Sequence, residues 1–586
     1  MDQSNAYIPV TQGAATLDAG DMAMWTLAAC LVVFRVFNAL FVRTYFNPDE
    51  FWQSSEVAHH MVFGYGYLTW EWQPHAQLRG YAHPAIFALL YKSLQLLVRS
   101  SLSSLAPQRA EPWLGPRLAM GGGVRAPHPR GRHHLSFPSH LLLQGVFTAI
   151  TDIFLYKLAR TYFDASTAKY ALLCQISSWF VFFALSRTFS NSIEACCTTI
   201  ALSYWPWHFM VHPRESGEST TERRHLRIAV AFAALGCIFR PTNAVLWVFL
   251  ASSLLVRSTS PVSLILSTFM PIGVVSIAAM AVVDRIGYGE WTFVPFNFMK
   301  FNVLEGKDKL YGVHPWHWYF VAGFPQATAT HLPLILYGVF LTQQRDLAAV
   351  VLWSLCVFSF GAHKEPRFLL PLLPASFVYA GKALHSLETR TFFKPVVSLL
   401  VAANGAAAVY FSRFHQRGPL DVLDYLAAHV GPTDSIDFLL PCHATPLYSH
   451  LHLNIPLWFP TCTPSSSAAA LAESLAAWKF SLDQAFAHAT VSLDADSPVP
   501  DTHMLVYSRK AHKSPAIFSD DGRGIGLFVG RRGDRLGHEN ARGGRANDCA
   551  VAEIDRDGPA NDAEEAIGGL VTGREGGPSS DPFVGP

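Results

Sequence analysis

The chain has 586 residues, of which 50% are hydrophobic, 13% aromatic and only 15% charged. This balance and the mean hydropathy of +0.22 argue against a string of soluble domains. The formal net charge of +1 gives no basis for nucleic-acid binding.

Apolar runs near the roughly 20-residue length that spans a bilayer recur up to residue 411. The first, residues 22–42, is too long for a cleaved signal peptide and lacks a small-residue cleavage site. The sequence therefore predicts an all-α polytopic membrane protein with about 11 transmembrane helices. The other predicted spans are residues 84–99, 140–158, 168–185, 193–211, 228–256, 263–283, 317–342, 347–361, 368–386 and 395–411.

Lysine and arginine in the short loops predict the orientation of these spans. Residues 100–139 and 382–394 are rich in basic residues, with one acid each, so both are expected in the cytosol together with residues 1–21. The basic loop 213–227 disagrees, because it counts as luminal; a re-entrant or miscounted segment between 160 and 256 would explain this. Counting from the anchors places the following on the luminal side: 43–83, 284–316, 362–367 and the tail after 412.

The first luminal loop opens with the stretch NPDEFWQSSE at residues 47–56. Asn47 suits a helix N-cap, Pro48 suits the first helical position, and Glu50 falls where a capping box has its acid. Local chemistry therefore favours a plain interfacial helix start. A catalytic carboxylate is compatible with it, because the helix dipole would keep Asp49 or Glu50 ionised.

Several charged residues fall within or beside the predicted spans, where charge is costly. Pairing that fixes helix packing explains any one of them, whereas together they indicate a polar cavity of an enzyme or a transporter. They are Arg35, Asp152, Arg187, Glu194, Arg240, Asp284 and Arg285.

The 284–318 loop is loaded with tryptophan, phenylalanine and tyrosine. An aromatic belt at the membrane interface and a platform for sugar rings both fit this composition. The stretch HKEPRF at 363–368 holds four ionisable groups, His363, Lys364, Glu365 and Arg367. It suits either a solvated turn or an anion site, in which lysine supplies a point charge and arginine a bidentate fork for phosphate.

Beyond residue 412 the hydrophobic spans stop. We expect a luminal soluble segment over 412–510 and a disordered tail over 511–586, and we expect the 100–139 insert to be irregular. Of the nine cysteines, Cys442 and Cys462 lie in the soluble tail and could form a disulfide in an oxidising lumen.

These pieces, in this order, resemble the polyprenol-phosphate-dependent mannosyltransferases of the GT-C class, in glycosyltransferase family 22. The likeness extends from about residue 35 to 465. It is carried by RVFNALFVRTYFNPDEFWQ from 35, SRTFSNSIEA from 186, FRPTNA from 239, YGVHPWHWY from 311 and HKEPRFLLPLLP from 363. The tail stretch PCHATPLYSHLH at 441–452 is most similar to the members that add the third mannose of the glycosylphosphatidylinositol (GPI) core.

The resemblance implies an endoplasmic reticulum enzyme whose site faces the lumen. It would transfer an α1,2-linked mannose, with inversion, from dolichyl-phosphate-mannose to a GPI-precursor glycolipid carrying two mannoses. No cofactor or metal is expected, since the lone DxD at Asp494 and Asp496 lies in the tail. The alternatives are a sister mannosyltransferase of N-glycan precursor assembly and, from another class, a polytopic lipid or solute transporter.

Roles follow from the same resemblance. Asp49 is assigned as the base, with Glu50 as second choice or acceptor-positioning partner. Lys364 and Arg367, with Arg240 as a third, would stabilise the leaving phosphate, oriented by His363 and Glu365. Trp316, His317 and Trp318 would line the acceptor site.

Overall fold

A computed structural model describes residues 19–105, 139–207, 220–430, 435–439, 443–459, 502–508 and 526–531. Almost all of these residues are helical. Expectations for Cys442–Cys462, for Asp494 and Asp496, for residues 1–18 and for 106–138 lie outside them.

The membrane domain is a succession of helices joined by short turns. Its α-helices are α1 Ala19–Phe41, α2 Glu56–Phe63, α3 Ala82–Leu105, α4 Ser139–Tyr162, α5 Ala165–Ser177, α6 Ser190–Tyr204, α7 Thr220–Phe239, α8 Ala244–Arg257, α9 Pro261–Leu264, α10 Met270–Tyr288, α11 Val294–Met299, α12 Phe324–Thr328, α13 Leu332–Leu341, α14 Asp346–Ser359, α15 Leu373–Leu387 and α16 Phe393–Arg413.

Short π-helical and 3₁₀ segments extend or connect these helices. The π-helical segments are Phe51–Ser55, Val181–Leu185, Ile265–Phe269, Lys300–Leu304 and Tyr319–Gly323. The 3₁₀ segments are Trp70–Trp72, Pro241–Asn243, Lys307–Tyr311, Ala329–His331 and Pro366–Leu372.

By length and composition, four helices of the described residues can cross a membrane: Met24–Phe41, Ser139–Tyr162, Pro261–Tyr288 and Phe393–Arg413. Shorter apolar helices accompany them, so the expected number of about 11 spans stays a prediction. The helices pack closely, and Gly338 shows how closely: a Cβ there would lie 1.9 Å from the carbonyl oxygen of Tyr379. Only glycine permits this approach of α13 to α15.

Helices α1 and α4 are antiparallel neighbours. A Cβ at Gly145 would meet the backbone of Val36, and further along α4 the carboxylate of Asp152 contacts Arg35 at 2.6 Å. Leu31 of α1 and Ala149 of α4 then lie in one buried cluster, against which Leu27 and Ile153 pack. We call the end of the bundle where α1 ends the site end, and the opposite end the far end. Helix α4 therefore begins at the site end.

Helix α3, expected as a span over 84–99, begins beside the loop that follows α1 at the site end: His83 Nδ1 lies 3.3 Å from the carbonyl oxygen of Gln53. Further along α3, the Tyr91 hydroxyl lies 3.1 Å from Nδ1 of His140 at the start of α4. The chain is thus at the site end both before α3 and at Ser139. This placement of Ser139 differs from the expectation that 100–139 lies on the same side as 382–394.

The expected single span over 228–256 is two helices, α7 and α8, broken at Pro241, which lacks a backbone donor. Helix α7 runs antiparallel to α6: Arg240 reaches Ser190 at 3.0 Å, and His225 lies against Tyr204 at 5.3 Å between rings. Helix α8 then returns to the far end, where Arg257 meets Asp346 at 3.5 Å.

The division of 228–256 into two helices explains why the basic loop 213–227 disagreed with the predicted orientation. The Tyr204 ring lies under the ammonium group of Lys157 in α4. Lys157 is five residues before Tyr162, where α4 ends at the far end. At this same end Lys382 contacts Asp164 at 3.2 Å. The basic start of α7, with Arg223, Arg224 and Arg227, therefore lies at the far end, as 382–394 does.

After α16 the chain forms a smaller unit over the site end, with helices α17 Gly418–His429 and α18 Tyr448–Leu451. A sheet of order β2-β1-β3-β4 follows, in which β1 pairs in parallel with β2 and β3, and β3 pairs antiparallel with β4. Its strands are β1 Ser435–Leu439, β2 Leu457–Trp458, β3 Thr502–Ser508 and β4 Gly526–Arg531. Strand β4 departs from the disorder expected over 511–586; the rest of that range lies outside the described residues.

The tail unit shares a hydrophobic core with the loop that follows α1. Phe51 and Trp52 are buried together with Leu426, Phe438 and Leu451. The two aromatic residues, expected on an interfacial helix, are therefore covered by the tail.

Candidate active site

The NPDEF stretch starts a helix as the sequence predicts. The Asn47 side-chain oxygen accepts a hydrogen bond from Asp49 N–H at 3.0 Å, and Phe51 and Trp52 N–H both bond to the carbonyl of Pro48 at 3.0 Å. This confirms Asn47 as the N-cap. The helix continues as a π-helical turn over Phe51–Ser55, a geometry that is frequent at functional sites.

Asp49 is joined to the HKEPRF stretch, which is more than three hundred positions away in the chain. An Arg367 guanidinium nitrogen lies 2.7 Å from Asp49 Oδ2. The same guanidinium binds both carboxylate oxygens of Glu365, each at 2.6 Å. Asn47 donates from Nδ2 to Glu365 at 3.0 Å, so that Asn47, Asp49, Arg367 and Glu365 form a closed ring. The two stretches thus build one site.

The electrostatics of the ring keep its carboxylates charged. Burial alone would raise the pKa of Asp49, but the charges of Arg367 and Arg79 lower it below the ordinary value of 3.8. Burial likewise opposes the charged form of Glu365, while Arg367 and a hydrogen bond from His363 at 2.8 Å hold its pKa well below the usual range. The Asp49 side chain is 22% exposed, so an ionised oxygen remains accessible to a substrate.

Glu50 faces away from this ring. Its carboxylate pairs with Arg187 Nη1 at 2.7 Å, and both side chains are nearly inaccessible. Arg187 also donates to the carbonyl and the hydroxyl of Thr44, at 2.5 and 2.9 Å. Glu50 therefore anchors the loop; it neither completes a capping box nor reaches the site, and the structure gives no support for it as base or acceptor partner.

Lys364 also points away from Asp49. Its ammonium donates to the carbonyls of His314 at 3.0 Å and Gly361 at 2.5 Å. His363 contacts the Gly312 carbonyl at 3.3 Å with its other nitrogen. Lys364 thus holds the 311–319 loop against the motif, and this arrangement does not support it as a phosphate ligand.

Arg240 lies at the break between α7 and α8 and lines a cleft with Arg79 and His83. Arg240 pairs with Glu194 at 3.2 Å, and Arg79 with Glu71 at 2.7 Å. The Nε2 atom of His83 is buried without a hydrogen-bond partner within the described residues. Sequence reasoning missed Arg79, although an arginine in a predicted luminal loop runs against the usual charge bias.

Apolar side chains also line the cleft, among them Ile238, Phe239, Met280, Val294 and Phe298, and the carboxylate of Asp284 is part of the same lining. A cleft that combines two guanidinium groups with apolar side chains suits an anion attached to a lipid chain.

The aromatic residues predicted to line the acceptor site do not converge on Asp49. Trp316 is 71% exposed, and Trp318 stacks on His314 at 4.6 Å between ring centres. His317 contacts the Trp316 ring. No contact joins any of the three to Asp49 in the part of the chain that the structure describes.

Most charges predicted within the membrane are paired. Asp152 accepts two hydrogen bonds from Arg35, at 2.6 and 3.0 Å, and Asn38 accepts a third from the same guanidinium. These two positions therefore serve packing, which was one of the two interpretations of the sequence. Across the described residues no three His, Cys, Asp or Glu side chains are grouped so as to hold a metal ion.

Glu56 ties the tail to the loop that carries Asp49. Its Oε1 atom accepts hydrogen bonds from Leu447 N–H at 2.7 Å, from Ser449 N–H at 3.1 Å and from the Ser449 hydroxyl at 2.6 Å. A buried carboxylate oxygen that accepts three hydrogen bonds fixes the two segments in register. The sequence offered no signal for this long-range contact.

A sequence model of the Alg9-like mannosyltransferase family matches residues 25–452. GPI alpha-1,2-mannosyltransferase 3 of Homo sapiens is 38% identical over 440 residues, which cover 74% of this chain and 71% of that protein. GPI mannosyltransferase 3 of Yarrowia lipolytica is 36% identical and covers 75% of this chain and 78% of that protein.

Among solved structures, ArnT from Cupriavidus metallidurans bound to undecaprenyl phosphate has a TM-score of 0.49 and 12% identity, over 83% of this chain and 94% of that one. The extent of the family match and the identity to these relatives are decisive for the family. The chain belongs to the Alg9-like mannosyltransferase family.

Proposed function

We propose that this enzyme adds the third mannose of the GPI core, in α1,2 linkage, to a glycolipid that carries two mannoses. The names of its relatives support the acceptor class. The observation that carries the proposal is the 2.7 Å contact between Asp49 and Arg367, because it places an ionised, accessible carboxylate in one site with the HKEPRF motif.

The donor in this proposal is dolichyl-phosphate-mannose. Asp49 accepts the proton of the acceptor hydroxyl as that oxygen forms a bond to the anomeric carbon of mannose. The bond from the anomeric carbon to the phosphate oxygen breaks, and the phosphate leaves with the electron pair. A single displacement inverts the anomeric configuration. The leaving group is a stable anion, so it requires positive charge rather than a general acid.

The cleft beside the site supplies that charge. We assign the donor phosphate to Arg79 and Arg240, whose guanidinium groups both line the cleft. Arg367 keeps Asp49 and Glu365 in place and is already balanced by two carboxylates. The apolar residues of the lining would contact the start of the lipid chain.

The site end faces the lumen of the endoplasmic reticulum in this proposal. The far end carries the basic start of α7 and the basic turn 382–394. Positive charge concentrates on the cytosolic side of membrane proteins, which supports this orientation.

Lipid analysis of cells that lack this gene tests the proposal. A GPI precursor with two mannoses should accumulate, and the wild-type gene should restore the three-mannose product. A truncated dolichol-linked oligosaccharide would instead assign the enzyme to N-glycan precursor assembly, and unchanged lipids with altered uptake of a solute would indicate a transporter.

Arg79→Gln and Arg240→Gln test the phosphate assignment. Each should raise the KM for the lipid donor by about ten-fold or more, since each removes a charged hydrogen bond. Lys364→Gln serves as the matched control, because its ammonium contacts backbone carbonyls only. A donor KM that rises in the lysine variant alone would contradict the assignment.

A further inference from the structure

His443 comes from the tail and lies beside the helix start that carries Asp49. Its ring centre is 4.9 Å from that of Trp52, and Phe459 lies at 6.4 Å on the same cluster. The Tyr45 hydroxyl donates to the backbone carbonyl of His443 at 2.8 Å. Tyr45 and Trp52 flank Asp49 in the sequence, so these contacts fix His443 to the loop on both sides of the base.

The backbone of His443 is held in an unfavourable conformation. Its φ of +59° lies in the left-handed region, which is uncommon for residues other than glycine and which the nearby His452 also adopts, at +49°. Such conformations persist where the surroundings over-determine them, and they are concentrated at ligand-binding and catalytic positions. The contacts to Tyr45 and Trp52 provide that constraint here.

The imidazole of His443 is available to a ligand. Within the described residues neither ring nitrogen makes a hydrogen bond, although the side chain is half-buried. Burial lowers the pKa of the ring to about 4, against the opposing effect of the Asp49 charge. The ring is therefore neutral at physiological pH and offers one donor and one acceptor, which suits a sugar hydroxyl.

We propose that His443 is an acceptor-binding residue, whose imidazole hydrogen-bonds a hydroxyl of the acceptor glycan next to the one that attacks. This inference rests on the proposed function and deepens it. A neutral ring is a poor ligand for the donor phosphate, which the arginines of the cleft can bind. Trp52 is 3% exposed, so it packs against the imidazole rather than contacting the sugar.

The tail therefore has two roles at the site. Through its contact with Glu56 it fixes the position of the loop, and through His443 it contributes a side chain that binds the acceptor. The acceptor site is thus built from the membrane-domain loop and from the tail unit, in place of the aromatic residues at 316–318.

Transfer kinetics of the purified full-length enzyme test this proposal, with dolichyl-phosphate-mannose and a synthetic two-mannose GPI glycolipid. His443→Phe preserves the ring packing on Trp52 but removes both nitrogens. We expect the KM for the acceptor to rise about ten-fold, as for the loss of one hydrogen bond to a polar ligand, with the donor KM unchanged. His443→Gln, which keeps a donor and an acceptor, should recover part of this loss.

His452→Phe is the matched control, because it makes the same change in the same tail segment, where the ring packs on His59 at 5.2 Å. Its acceptor KM should equal that of the wild type. An acceptor KM that is unchanged in His443→Phe, or raised equally in His452→Phe, would overturn the assignment while the proposed function stands. A wild-type enzyme that transfers no mannose to this acceptor would instead overturn the proposed function, and this inference with it.

Discussion

Asp49 and Glu50 are adjacent in the sequence but have separate environments. Successive positions on a helix point about 100° apart, so one carboxylate reaches Arg367 and the other Arg187. The sequence identified the pair and the N-cap that starts the helix. It could not separate their roles, because the partner of each lies far away in the chain.

Glu50→Gln should therefore act on stability. Removing one partner of a buried ion pair leaves the other charge uncompensated, at a cost of about 3 kcal/mol or more in the free energy of unfolding. Thermal unfolding in detergent should show a lower midpoint for Glu50→Gln than for Asp49→Asn. A Glu50→Gln protein of normal stability and no activity would return Glu50 to the role of base.

Arg367 sets the protonation of Asp49. In the wild type the pKa of Asp49 lies below 3.8, so its ionised form persists from pH 7 to pH 5 and is lost only as pH falls through the lowered value. Arg367→Met removes the main charge that opposes burial, so the pKa of Asp49 should rise. The rate of residual transfer should then fall at a higher pH than in the wild type. Identical acid limbs in the two pH profiles would contradict this account.

Contacts with distant parts of the chain also decide the arrangement of the HKEPRF motif, and the sequence does not show them. HKEPRF was predicted as one cluster of four ionisable groups, yet its side chains diverge: Arg367 and Glu365 face Asp49, whereas Lys364 faces the 311–319 loop. The direction in which each side chain points depends on the loop that packs against the motif. The sequence contains no pattern that reports this packing.

Glu56 gives an element-scale prediction about the tail. Glu56→Ala removes the acceptor of three hydrogen bonds from the tail, whereas Glu56→Gln keeps an acceptor oxygen. We expect Glu56→Ala to make the 443–459 segment sensitive to limited proteolysis and to reduce transfer, with a smaller effect for Glu56→Gln. Equal resistance of both variants and the wild type would argue against this link.

At the scale of the whole molecule, hydrophobicity predicted the membrane class but misjudged two segments. Residues 84–99 have the composition of a span, yet Tyr91 contacts the site-end residue His140. Residues 228–256 read as one span because Pro241 is a single interruption in an apolar run. Tertiary contacts decide both cases, and loop charge alone could not.

Labelling of single cysteines from each side of the membrane tests the revised topology. A cysteine at Leu142, which is exposed near the start of α4, should be labelled from the same side as one at Gln73 in the first loop, and one at Arg224 from the same side as one at Arg390. Labelling of Leu142 together with Arg390 would restore the sequence-based orientation.

The central claim is that the carboxylate of Asp49 is the base in the transfer of mannose to a GPI acceptor. Its most direct test is mannosyl transfer by purified wild-type and Asp49→Asn protein, with dolichyl-phosphate-mannose and a two-mannose GPI glycolipid. We expect an α1,2-linked three-mannose product from the wild type. Asp49→Asn should show a loss of at least about a hundred-fold, as for removal of a general base, with normal thermal stability. Near-normal transfer by folded Asp49→Asn protein would contradict the account.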